Sequence, residues 1–227
     1  MRARVARNVA GWNLPPKMNK EERLKFENTL VEIFEKFGLS GKYHSLTPGH
    51  KNFINQDQAN ALINKHFLFN DMTTDNHLTS SGVASDWPFG RGIWVSEDET
   101  KMIWIGEEDQ LRIISIVKGT DLGAVDASLY ELLSKIEGAG LKFAEHGTYG
   151  VITTCPTNMG TGKRQSILGE FPNISDKGKN EKRLKDLAKQ FGLQARGMGG
   201  EHSAMDEKGT ADISPSARFG VKESYVT

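Results

Sequence analysis

A single α+β domain is the fold class this sequence predicts, and three observations lead to it. Amphipathic stretches of helical period alternate with short β-type runs. Gly and Pro punctuate the joints between them. No linker, internal repeat or low-complexity tract divides the 227 residues.

Residues 1–18 carry Arg2, Arg4 and Arg7 and are broken by Pro15 and Pro16, which predicts an extended or turning lead-in. Over 19–37, Leu24, Leu30, Val31, Phe34 and Phe37 recur at near-helical spacing with Glu and Lys between them, and Gly38 closes the helix. A second, shorter helix is predicted over 56–67. Residues 70–86, NDMTTDNHLTSSGVASD, are polar and aperiodic and predict a loop. The apolar runs 94–95 and 102–105, separated by SEDET, predict a hairpin, and 111–117 a further buried strand. Leu122, Val125, Leu129, Leu132, Leu133 and Ile136 predict a helix that stops near Gly138 and Gly140. The β-branched run 149–154 leads into Cys155-Pro156. Residues 180–191 predict a last helix with Gly192 as its stop, and the tail from Arg196 is Gly-rich with few apolar residues before Ile213.

Composition excludes several classes of function. Lys+Arg and Asp+Glu both number 29, so net charge gives no reason to expect binding to nucleic acid or an anionic membrane. One Cys cannot form an intrachain disulfide, and no apolar run approaches the ~20 residues of a membrane helix. The N-terminal arginines have no apolar h-region behind them and are not a secretory signal. A soluble protein of a reducing compartment, the cytoplasm, is the expectation.

Two familiar phosphate-binding signatures fail on a required residue. Gly162-Lys163 suggests a P-loop, but Thr157 stands where the first Gly belongs and Arg164 where Ser or Thr would hold magnesium. Gly90-Arg91-Gly92 lacks the third Gly of a dinucleotide fingerprint, since position 95 is Val. The six His and single Cys are scattered and predict no metal site. What remains is a set of segments joining a strand or Gly-rich turn to an Arg or a carboxylate: Arg2-Ala3-Arg4, Glu107-Glu108-Asp109 with Arg112, Cys155-Pro-Thr-Asn-Met-Gly-Thr-Gly with Arg164, and Arg196 with Glu201. Guanidinium forks match phosphate oxygens bidentately, while carboxylates hold a cationic acceptor. A site containing both suits phosphoryl transfer to a basic group.

The CPTNMGTG octamer resembles the Cys-Pro-Ser/Thr-Asn-x-Gly-Thr signature of the phosphagen (guanidino) kinases. Trp87 to Ile93 (WPFGRGI), Gly106 to Ser115 (GEEDQLRIIS) and Arg196 to His202 (RGMGGEH) resemble the family's other blocks, in the family's order. The resemblance implies the catalytic domain of that family over 1–227: a large antiparallel sheet flanked by helices, with the N-terminal helical domain absent and both ends incomplete. It implies that Arg2, Arg4, Arg112, Arg164 and Arg196 clamp the phosphates of ATP or ADP. Glu108 and Glu201 would orient the guanidinium and take its proton, with Cys155 as the reactive thiol beside it, favoured as thiolate by cationic neighbours. Glu107 would pair with a nearby Arg or face solvent, and Asp212 is a candidate nucleotide contact. Magnesium would be held by phosphates and water. Val95 and Leu168 stand where the family has two histidines near the adenine, so the base is expected to meet an apolar surface.

Within the family, Gly200-Glu201-His202 is most similar to the arginine kinase branch, so a small guanidino substrate, arginine, is the expected acceptor. The bacterial protein arginine kinases, which Ala6-Arg7-Asn8 also resembles, are the alternative, as is a catalytically inactive structural relative. The oligomeric state is left open.

Overall fold

In the computed structural model, which describes residues 1–197, 205–217 and 220–221, the N-terminal lead-in is a strand, β1 (Arg2–Arg7). The expected extended or turning lead-in is thus extended over these residues and paired into the sheet. The R-A-R-V alternation puts Ala3 and Val5 into the core and Arg2 and Arg4 on the opposite face, as the two-residue period of a strand requires.

The helix α1 (Lys20–Lys36) starts where Asn19 accepts the Glu22 N–H, and α2 (Gln56–Asn64) begins in a reciprocal cap between Asn55 and Gln58. Between them lies the edge strand β2 (Gly41–Ser45). The predicted loop 70–86 contains a 3-10 turn, Met72–Thr74, and a short helix, α3 (Asn76–Ser80), each capped by an Asp side chain that takes backbone N–H groups. Capping chemistry, not apolar period, orders this stretch. The hairpin β3 (Gly92–Ser96) and β4 (Lys101–Ile105) and the strand β5 (Leu111–Ile116) follow as expected, then α4 (Leu122–Gly138).

Of the run 149–154 only two residues are strand, in a small hairpin of β6 (Glu145–His146) and β7 (Gly150–Val151). The polar strand β8 (Lys163–Glu170), the helix α5 (Glu181–Gln190) and the strands β9 (Leu193–Arg196) and β10 (Thr210–Pro215) complete the described chain.

Eight strands form one antiparallel sheet in the order β2-β3-β4-β5-β1-β8-β10-β9. One face is covered by α1 and α4, whose Leu30, Phe34, Leu129 and Leu132 meet Val5, Ile103, Ile105 and Ile113 in the main core. On the same face α5 lays Leu184 and Ala188 over Ala195 and Ala211. The other face is covered only in part. There α2 and α3 seal Ile93, Val95, Met102 and Ile114, and the remaining strands leave their polar residues around a cavity.

Candidate active site

Register places the arginines. Antiparallel partners share a face, so the pairing of Arg4 with Arg164 and of Arg196 with Asp212 puts these side chains on the half-covered side. Arg2 and Arg112 join them by the two-residue alternation of β1 and β5. All five predicted arginines line one cavity of about 680 Å³, whose far wall is the 63–78 segment with His66, Asn70 and Asp71.

The five differ in how their charge is met. Arg2 and Arg164 share Asp212 Oδ2 at 2.9 and 3.2 Å, and Arg164 Nε donates to Ser214 Oγ at 2.9 Å. Burial works to raise the Asp212 carboxyl, but Arg2, the Ser166 hydroxyl, Arg164 and Arg4 outweigh it and hold it below the usual range. Arg196 Nη2 donates to Gln194 Oε1 at 2.7 Å. Arg112 is braced by Glu107 at 2.9 Å and Glu108 at 3.5 Å, and its guanidinium lies 5.2 Å from the centroid of the Trp104 ring. The Arg4 side chain makes no hydrogen bond or close ion pair among the described residues. Burial first, then repulsion from Arg112, Arg2 and Arg164, lowers its guanidinium well below the ordinary value, with Asp212 opposing. Such a cluster of guanidinium groups around one cavity could take an anion.

The acceptor-side groups lie next to Arg112. Glu108 Oε2 accepts from Asn158 Nδ2 at 3.0 Å, and the Cys155 thiol adjoins the same carboxylate. Burial, then Glu107, pushes the Glu108 carboxyl up, against a smaller opposing effect of Arg112. The Cys155 Sγ is 3.0 Å from Thr157 Oγ1. A carboxylate and a hydroxyl are thus among its described contacts. The 155–162 turn is fixed against β1: Ala6 N–H donates to Gly162 O at 2.8 Å and Arg7 Nη1 to Thr161 O at 3.1 Å. Gly162 has φ +61°, and a Cβ there would lie 2.7 Å from Arg7 Nη1 and 2.8 Å from Ala6 O, so both the dihedral and the close approach require glycine.

Glu107, expected to pair with an arginine or to face solvent, pairs with Arg112, and Asp212, a candidate nucleotide contact, lines the cavity. Glu201 lies outside the described residues. Val95, packed beneath α2 opposite Met102, and Leu168, exposed opposite Asp212, lie on the arginine side of the sheet without lining the cavity itself. Trp104 and Asn158 were assigned no role from the sequence. Strand alternation of Met102 and Trp104 against Ile103 and Ile105 is the signal that places Trp104 on the site face; for Asn158 there was none beyond its place in the octamer.

The profile described as "ATP:guanido phosphotransferase, C-terminal catalytic domain" matches residues 25–227. An arginine kinase of Turbo cornutus is 35% identical over 224 residues, covering 98% of this chain and 60% of the relative. A testis-isozyme creatine kinase of Oncorhynchus mykiss is 40% identical over 230 residues, covering 98% and 57%. The duplicated taurocyamine kinase of Schistosoma mansoni, solved with bound transition state analog components, superposes with a TM-score of 0.83 at 33% identity over 99% of this chain and 30% of that one. The chain thus spans at most about three fifths of the length of these proteins.

Proposed function

The chain belongs to the ATP:guanido phosphotransferase family, in its C-terminal catalytic domain, and from that premise we propose that it transfers the γ-phosphoryl group of ATP to a guanidinium nitrogen, with arginine as the acceptor. The observation that carries this reading is Arg4, a buried cation among three other arginines with only the shared Asp212 to offset them, on the floor of a cavity that opens beside a carboxylate of raised pKa.

In this reading the arginines hold the polyphosphate and neutralise charge as it shifts toward the leaving ADP. Glu108 attracts the acceptor guanidinium and takes the proton from the attacking nitrogen. Its raised pKa brings it closer to the operating pH, where a general base is most effective. Cys155, adjoining that carboxylate, fixes the orientation of the guanidinium. Among the described residues no group of three or more His, Cys, Asp or Glu could hold a metal. A magnesium ion would therefore take most of its oxygens from phosphates and water, and would supply charge neutralisation. Residues 1–227 act as one catalytic domain, since β1, outside the profile match, supplies the sheet's Arg2 and Arg4. Among the described residues no helix is long and apolar enough to cross a membrane. A cytoplasmic location is proposed from the single, unpaired Cys155.

The test is direct. The purified chain is incubated with Mg-ATP and, in turn, arginine, creatine, taurocyamine and glycocyamine, and phosphorus NMR follows the appearance of an N-phosphorylated guanidine. Arginine should give the signal. Transfer to another of the four alone would move the acceptor, and silence with all of them would remove the reading.

A further inference from the structure

Behind the Glu108–Cys155 pair lies a buried polar joint that the mechanism above does not use. Asp109 follows Glu108 and Thr154 precedes Cys155, and the two are bonded directly: Thr154 N–H donates to Asp109 Oδ1 at 2.6 Å. The last described partner of that oxygen comes from the N-terminal segment. Asn8 Nδ2 donates to Asp109 Oδ1 at 2.8 Å and to Ile152 O at 3.1 Å, while Asn8 Oδ1 accepts the Gln110 N–H at 2.9 Å. Its backbone carbonyl also accepts from Ala144 N–H at 2.7 Å. Asn8 and Asp109 are each 1% exposed.

The chemistry of the joint is specific. An amide supplies two donors and an acceptor on one short stem, and Asn8 uses both kinds to hold two loops at once. An Asp at that position would set carboxylate against carboxylate, and an aliphatic residue would leave buried groups unpartnered. Each of the two loops bears one member of the acceptor-side pair, one residue from the joint.

We propose that Asn8 and Asp109 are positioning residues, a buried clamp that fixes the register between the Glu108 carboxylate and the Cys155 thiol. The clamp's place in catalysis rests on the guanidino kinase reading; its effect on the geometry of the pair does not. Neither residue lines the phosphate cavity, so the clamp serves the acceptor side and leaves nucleotide affinity alone.

Cys155 is the only cysteine, so iodoacetamide reports on it alone. The full chain is compared at one pH as unmodified protein, Asn8→Ala, Glu108→Gln and the double variant, with Asp109→Asn as the conservative replacement and Asn8→Ser in reserve should Asn8→Ala not fold. A neighbouring carboxylate repels a thiolate, so Glu108→Gln should speed alkylation several-fold, roughly 3 to 10 times. Asn8→Ala should do the same by letting the pair drift, and the double variant should be little faster than either. Asp109→Asn keeps an oxygen for Thr154 N–H and Asn8, and should stay near the unmodified rate. In turnover, Asn8→Ala should lower kcat roughly 10- to 100-fold while the Kd for ADP stays within twofold. Alkylation of Asn8→Ala at the unmodified rate, or rate factors that simply multiply in the double variant, would overturn the clamp. Absence of turnover in every protein, the unmodified one included, would count against the kinase reading alone, because the alkylation comparison still decides the clamp.

Discussion

Glu108 is a carboxylate whose charge the fold disfavours. Burial and Glu107 raise its folded-state pKa above the unfolded value, so the native state binds the proton more tightly than the unfolded chain does. Stability is then lost as the pH rises through the window between the two values, and the whole penalty is present above it. Glu108→Gln should therefore raise the thermal midpoint at neutral pH, with the gain fading as the pH falls toward about 4, where the unfolded carboxyl titrates. The same variant should lower transfer by roughly 10² to 10⁴, the usual worth of a general base. Melting curves between about pH 4 and 8 beside a turnover assay check both halves; a lowered midpoint at neutral pH would mean that the bonds from Arg112 and Asn158 outweigh burial. This residue was legible in the sequence through the E-E-D block. Its partner Asn158 was not, because a side chain that meets its target across 50 positions leaves no local pattern.

The elements divide the same way. Helices α1, α4 and α5 were legible because their buried residues recur at helical spacing between side-chain caps and Gly stops, whereas α2 buries only Ala59 and has no Gly stop, and β3 to β5 were legible because their runs are largely apolar. Strands β1, β8 and β10 were not. Each gives one face to Arg, Asp or Ser around the cavity, so function removes the apolar signal that fold class relies on. This two-sidedness also separates stability from binding. Leu129 of α4 is fully buried against the side of the sheet away from the arginines. Leu129→Ala should lower unfolding stability by about 2 to 5 kcal/mol, the range for a buried Leu. Urea titration measures that loss, and calorimetry below the transition should find ADP affinity within twofold of the unmodified protein. A tenfold weaker affinity would show that the helical layer reaches through the sheet.

At the scale of the whole molecule the charges sum to zero, yet the sheet gathers guanidinium groups from β1, β5, β8 and β9, between residues 2 and 196, around one space. Net charge in the sequence could not reveal this, because a sum over 29 cations and 29 carboxylates carries no position, and the cavity itself sets Asp71, Asp75, Glu107 and Asp212 beside the five arginines. Closing the sheet brings like charges together at a cost in stability, and a bound polyphosphate would offset that cost across four strands at once. Mg-ADP at 100 times its Kd should therefore stabilise the fold by about 2.7 kcal/mol, a rise in midpoint of roughly 5 to 10 °C for a chain of this length. Adenosine, which brings the base without the phosphates, should give little shift, and added salt should shrink the ADP effect by screening. Arg4 makes the comparison sharper, since its charge is disfavoured in the folded protein by burial and by three neighbouring arginines. Arg4→Met should raise the midpoint of the ligand-free protein and at the same time remove most of the ADP shift, two opposite movements in one melting experiment. If the variant kept the full ADP shift, or adenosine matched ADP, the cavity would be recognising the base, and the arginine cluster would lose its place as the phosphate site.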